Sequence, residues 1–267
     1  GKAATVVSTS YDSVGQKKTE GCDFNEIKSS DCRIVNIDKS LNANVSDIFR
    51  NKYLSPSSPY TTLRIPVQGI GEWCHPKLSA DICDSVLRTM VKKNILRTSI
   101  AIPFRSFSKG NNIVYTSLWN NYPDRVVIPI KGKASHAYLL MAGSTNHMQS
   151  RIDNGIIVVT YQDGSTDSLH LVNPDNWCPI EQDYYVDGKA FNTPSPRPYR
   201  IHLGSGLVSR DLGRDLNIKG VYGREIPCGA GMILDMPLDH TKNLKSLTVR
   251  TLSNDVVIGL MGLTLQK

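Results

Sequence analysis

Apolar and polar positions alternate in short blocks along most of this chain. Runs rich in β-branched and aromatic residues, each bounded by turn formers, fall at 62–66, 112–118, 125–130, 137–142, 155–161, 168–172 and 199–203. Blocks of this length and composition predict strands. The strongest local signal is Ile156-Ile157-Val158-Val159-Thr160-Tyr161, then Gln162-Asp163-Gly164-Ser165, then Ser168-Leu169-His170-Leu171-Val172. Asp-Gly accepts the positive φ of a tight turn, so a β-hairpin is expected there. Toward the C-terminus the runs 232–236, 244–252 and 256–265 are dense in apolar residues, which predicts central strands rather than a sheet with one wet face. One stretch follows a helical stripe instead: Val86, Leu87, Met90, Val91 and Ile95 predict about three turns of helix.

The segment 1–58 breaks this rhythm. It is polar and irregular, with weak apolar clusters only at 32–37 and 45–49, and it reads as an arm or interdomain linker. Pro56 and Pro59 favour extended chain and mark a boundary, so 59–267 is expected to be the folded domain. Regular strands, sparse helix and long loops, with no repeat at a period of roughly 20–50 residues, predict an all-β fold. The expected architecture is a jelly-roll β-sandwich with at most short helices, two sheets burying alternate side chains against each other.

Composition sets the bounds. A chain of 267 residues with 40% hydrophobic and 21% charged residues has enough apolar surface for a sizeable core. No apolar run approaches the roughly 18 residues needed to cross a bilayer, and the N-terminus lacks the form of a signal peptide, as a processed precursor would too. The net charge of +7 is spread along the chain. Its densest part is Arg88, Lys92, Lys93, Arg97, Arg105 and Lys109, where only Phe104 and Phe107 are interleaved. A surface that tracks phosphates pairs such a cluster with stacking aromatics, so a solvated face or an acidic sugar is favoured over nucleic acid. The six cysteines, Cys22, Cys32, Cys74, Cys83, Cys178 and Cys228, form no C-x-x-C pair, which removes the common zinc and thioredoxin-like readings. They allow up to three disulfides in an oxidising compartment, with Cys22–Cys32 and Cys74–Cys83 the shortest loops, or buried free thiols.

Candidate chemistry gathers around three tryptophans in polar, loop-like settings: Trp73 beside Glu72 and His75, Trp119 beside Asn120 and Asn121, and Trp177 beside Asn176 and Glu181. A sugar ring offers an apolar C–H face and a rim of hydroxyls, so its sites combine an exposed aromatic platform with amide, acidic, His or Arg groups. His147 and Arg151, in a polar loop ahead of the hairpin, extend that set. The competing reading is that the tryptophans seal the ends of the core. For glycoside hydrolysis, two carboxylates roughly 5–10 Å apart are required, and Glu181 with Asp183 is the best pair by position. No nucleophile elbow, Walker loop, zincin or dinucleotide fingerprint is present. No cofactor is expected beyond a structural calcium at Asp81 and Asp84, two carboxylates against the usual six to eight or so oxygen ligands.

Several long strings carry a family resemblance: 55–63, Gly69-Ile70-Gly71-Glu72-Trp73-Cys74-His75-Pro76, Thr116-Ser117-Leu118-Trp119-Asn120-Asn121-Tyr122-Pro123-Asp124, 135–146, Asn173-Pro174-Asp175-Asn176-Trp177-Cys178-Pro179-Ile180-Glu181 and 244–265. In these the chain resembles the C-terminal region of large secreted glycoside-hydrolase-like proteins of gut Bacteroidetes. That resemblance implies a galactose-binding-domain-like jelly roll beside a helical-barrel catalytic domain, secreted or periplasmic and possibly at the cell surface. It assigns no functional residues. This chain lacks the helical barrel, so hydrolase activity does not carry over. The expectation is a non-catalytic module that binds an oligo- or polysaccharide. The alternatives are a scaffold packed on a neighbouring catalytic domain and, less favoured, a stand-alone glycosidase or lyase. Exposed tryptophans favour binding, and buried rings favour the scaffold.

Overall fold

The computed structural model describes residues 10–11, 17–18, 24, 27–51, 53, 81–145, 149–183, 193, 196–219 and 224–267. Within them the chain is an all-β sandwich of antiparallel sheets. Strands β1 (Ser10–Tyr11) and β2 (Lys17–Lys18) pair only with each other. A large sheet comprises β3 (Cys32–Ile34), β7 (Val114–Ser117), β9 (His136–Met141), β10 (Ser144–Thr145), β13 (Tyr199–His202), β14 (Val208–Ser209), β15 (Ala230–Pro237) and β17 (Val256–Gln266). A second sheet has the order β12 (Thr166–Val172), β11 (Asp153–Tyr161), β16 (Leu244–Thr251), β8 (Arg125–Pro129). A small third sheet holds β4 (Val91–Lys92), β5 (Ile95–Leu96) and β6 (Phe104–Arg105).

The last strand organises the large sheet. One edge of β17 pairs with β9 and then β10, which are one strand broken at Ala142-Gly143; the other edge pairs with β7 and β3, laid end to end. Beyond β9 the sheet continues through β15 and β13 to β14. Leu139, Met141, Met232, Leu234, Ile258 and Leu260 meet Ile157, Val159, Leu247 and Val249 of the second sheet in one core. Tyr138, Leu140, Ile233, Val257 and Met261 point the opposite way and are buried in a second core. Dense apolar runs at 232–236 and 256–265 therefore reflect strands covered on both faces. The second sheet has one wet face, with Val127 of β8 54% exposed beside buried Ile128. The run 244–252, expected to be covered on both faces, is instead a central strand, β16, whose Lys245 and Arg250 face water between buried Leu244, Leu247 and Val249.

The Asp-Gly hairpin is present as predicted. β11 and β12 pair from Ile156 with His170 to Thr160 with Thr166. Gly164 takes φ +86°, and Asp163 accepts the Ser165 N–H at 2.9 Å, an Asx arrangement that closes the turn locally.

Two expectations are corrected. The helical stripe yields only α1 (Ser85–Thr89), after which Val91 pairs with Leu96 in a hairpin. Lys93 and Asn94 both adopt positive φ, +53° and +59°, which a helix cannot contain and a two-residue hairpin turn requires. The segment 1–58, separated above as an arm, contributes residues 27–51 to the body of the domain. Val45 and Ile48 have no exposure and pack in the second core with Ile82, Leu96, Ile102 and Phe104. Its polar residues substitute for a strand: the Asn42 amide donates to the Tyr115 carbonyl (2.9 Å) and accepts the Tyr115 N–H (2.8 Å). Arg105 closes the attachment with a two-pronged contact to Asp38. The domain thus has three layers, with the large sheet in the middle. The other short helix is α2 (Leu212–Asp215), capped by Asp211, whose side chain accepts the Arg214 N–H at 3.0 Å.

Candidate functional site

Sheet topology collects four stretches at one end of the sandwich: 118–124, 149–152, 173–183 and the turn 252–255. The start of β17 lies beside the ends of β7 and β10, and the end of β16 beside the starts of β8 and β11. Backbone hydrogen bonds tie these loops to the neighbouring strand ends and to each other: Thr251 N–H of β16 to Asp124 O (3.0 Å), Leu252 N–H to Asn154 O of β11 (2.9 Å) and Arg151 N–H to Asn173 O (2.8 Å). Most of the predicted site residues with described positions are on this end, and it is a firm platform rather than a set of independent loops.

The tryptophan rings do not form its surface. Trp177 is fully buried in the core between the sheets, its Nε1–H donating to the Thr145 hydroxyl at 2.6 Å. Trp119 is 4% exposed, on the other side of the large sheet, packed on Tyr53 at a ring separation of 5.3 Å. Neither ring is available for sugar stacking, which corrects the expected platform: the apolar faces are spent on the core because the loops fold back over them. Trp73, His75 and His147 lie outside the described residues. Asn120, Asn121 and Arg151 are exposed, and Arg151 pairs with Asp175 across two loops. Asp153 and His170 make a second exposed contact at 2.9 Å. Sequence reasoning missed the apolar members of this end. Leu118, Ile152 and Leu252 are 38%, 47% and 36% exposed, one on each of three loops. Their only signal was an apolar residue directly beside polar turn formers.

Glu181 is not a surface ligand group. Segment 180–183 is strapped between the large sheet and the loop 224–230: Ile180 N–H reaches Gly143 O (2.8 Å), Ile226 N–H reaches Glu181 O (2.8 Å), and Asp183 N–H reaches Arg224 O (2.8 Å). The Glu181 side chain is 2% exposed, and its Oε2 has no hydrogen-bond partner among the described residues. Burial pushes its carboxyl up to about 7, against the pull of its own backbone N–H and of Arg200. Asp183 is answered by Arg224 at 3.1 Å and by Arg200 at 4.0 Å. Arg200, 2% exposed, also donates to the carbonyls of Pro179 (2.9 Å) and Ala230 (3.2 Å). Both carboxylates considered for hydrolysis are thus sealed under backbone, and the arginines make this a charged internal joint between β13 and its neighbours.

The two aspartates considered for calcium are engaged by arginine. Asp81 pairs with Arg50 at 2.8 Å, while Asp84 accepts from Arg88 (2.9 Å) and from the Asn112 amide (2.7 Å). Among the described residues no group of three or more His, Cys, Asp or Glu side chains is placed to hold a metal ion, and no helix is long and apolar enough to cross a membrane. A depression of about 310 Å³, lined by Ser29, Arg97 and 98–103, lies near the far end of β17, where the Thr264 hydroxyl bonds Pro103 O. It contains none of the predicted site residues. No protein-family model matches the chain, and no curated protein matches it.

Proposed function

We propose that this chain is a non-catalytic accessory module of a secreted or periplasmic glycan-degrading protein, and that it acts as a scaffold which packs its loop end against a neighbouring catalytic domain. The observation that carries this reading is the placement of Leu118, Ile152 and Leu252, all exposed, on three loops at one end, each loop hydrogen-bonded to a neighbouring strand or loop. Around them are Asn120, Asn121, Arg125 and the Arg151–Asp175 pair. An apolar centre with a polar rim suits protein contact, since such side chains gain by leaving water and the rim supplies hydrogen bonds. The glycan-degrading context comes from the sequence resemblance, as does the galactose-binding-like jelly-roll topology.

Oligosaccharide binding is the second reading. It is favoured by the exposed amides and the Arg151–Asp175 pair, which match sugar hydroxyls. It lacks an aromatic platform among the described residues.

Sedimentation velocity of the chain with the domain encoded beside it, together with retention on a panel of immobilised neutral and acidic oligosaccharides, separates the readings. A complex lost in a Leu118→Asp, Ile152→Asp double variant supports the scaffold. Retention on a glycan that Arg151→Ala abolishes, without any such complex, replaces it with the binding module. A reading frame that encodes this chain alone ends the scaffold proposal.

A further inference from the structure

Four of the six cysteines are described, all as free thiols: Cys32, Cys83, Cys178 and Cys228. Cys178 is buried and donates to Gln182 O at 3.4 Å, and Cys32 is half-buried in β3. Cys83 and Cys228, far apart in sequence, meet. Ile82 and Cys228 form an isolated parallel bridge, and the Cys83 N–H donates to the Cys228 carbonyl at 3.1 Å. A backbone hydrogen bond of this length holds the two Cα atoms at about the separation that a disulfide spans.

The backbone supplies a second observation. Cys228 adopts φ +63°, a left-handed conformation that a side chain with a Cβ pays to occupy and that glycine or asparagine fills more cheaply. A cysteine held there, against another cysteine and still partly open to solvent, is not placed for packing alone.

We propose that Cys83 and Cys228 are a reversible dithiol–disulfide pair that staples the segment leading into α1 to the loop covering Glu181. The Ser85 hydroxyl stands 3.1 Å from the Cys83 sulfur, and bonds from that hydroxyl and from the Ser85 backbone N–H lower its thiol below the ordinary range. Burial, with Cys83 and Asp81 nearby, raises Cys228. Cys83 is therefore the attacking group. As the thiolate it attacks one sulfur of a low-molecular-weight disulfide, forming a mixed disulfide and expelling one thiolate. Cys228 then loses its proton to solvent and attacks the Cys83 sulfur, closing the Cys83–Cys228 bond and expelling the second thiolate. Two protein thiols are oxidised and one external disulfide is reduced to two thiols.

The bond would close a long loop running from β4 through β14. The segment it fixes is the one whose Ile226 and Arg224 hydrogen-bond Glu181 and Asp183. Oxidation therefore tightens the joint above the charged cluster, and reduction frees it.

The experiment equilibrates the chain against reduced and oxidised glutathione over a range of ratios. Each sample is quenched with an alkylating agent for peptide mapping under non-reducing conditions, and its thermal midpoint is recorded. The expected result is a Cys83–Cys228 linked peptide whose yield follows the glutathione ratio, with the midpoint rising on oxidation by on the order of 5–10 °C. Cys83→Ser and Cys228→Ser should each abolish the redox-dependent shift. Cys228→Gly, which fits the left-handed backbone, gives a folded control should the serine variant fail to fold. Linkage of either cysteine to Cys22 or Cys74, or glutathione attached to Cys83 with no intramolecular bond at any ratio, overturns the proposal.

Discussion

The indole of Trp177 and the hydroxyl of Thr145 are joined by a 2.6 Å hydrogen bond inside the sandwich, with no solvent at the ring. This contact holds the loop after β12 against β10 and fixes how the connections at that end lie over the core. Trp177→Ala should cost about 3–5 kcal/mol through the cavity it leaves. Thr145→Val should cost roughly 1–3 kcal/mol by orphaning the indole N–H. Urea denaturation measures both. Loss of glycan retention by a Trp177→Ala protein with unchanged stability would refute the structural role.

Gly143 marks the closest approach in the same region. A Cβ there would stand 2.0 Å from the Val257 carbonyl oxygen and 2.7 Å from the Trp177 ring. The carbonyl belongs to a central strand and cannot give way. Gly143→Ala should destabilise by about 3 kcal/mol or more, read as a lowered urea midpoint. Gly164→Ala, in open space but at positive φ, should cost less.

Glu181 makes stability depend on pH. Its carboxyl titrates near 7 in the fold, against an ordinary 4.5. Between those values the folded state holds the proton that the unfolded chain has released. Its stabilising contribution is therefore complete below about 4.5 and is lost as pH rises through 7, a change on the order of 3 kcal/mol. Glu181→Gln should flatten that part of the profile and raise the thermal midpoint at pH 8 relative to the parent. An identical pH profile in both proteins would remove Glu181 as the cause.

Leu118, Ile152 and Leu252 should behave as surface residues. Replacing all three by Ser should change folding stability by no more than about 0.5 kcal/mol per site, because each is already more than a third exposed. The same variant should lose association with the neighbouring domain in sedimentation. A large loss of stability would show that these side chains are held inward.

Much of the fold was legible from local pattern. The runs at 125–130, 137–142, 155–161, 168–172 and 199–203 became β8, β9, β11, β12 and β13, and Asp163-Gly164 placed the hairpin register. The stripe at 86–95 misled because a two-residue turn at Lys93-Asn94 reverses the chain where a helix would continue. The weak cluster at 32–37 gave no sign of a strand of the large sheet, nor that at 45–49 of a layer over it, since each gains its partners only from strands far later in the sequence.

The candidate site was legible as loops but not as surfaces. In Leu118-Trp119-Asn120 the leucine is exposed and the tryptophan is not, the reverse of what a sugar platform needs. Trp119 turns inward because Tyr53 lies beneath it, and Trp177 because Thr145 and the gap above Gly143 receive it. The sequence alone determined the strands, the tight turn and the all-β class, because side-chain alternation and turn sterics act between residues a few positions apart. Which side chains face water, which carboxylates are sealed and which cysteines meet were decided only in the tertiary structure, because burial is conferred by residues that the chain brings together from a distance.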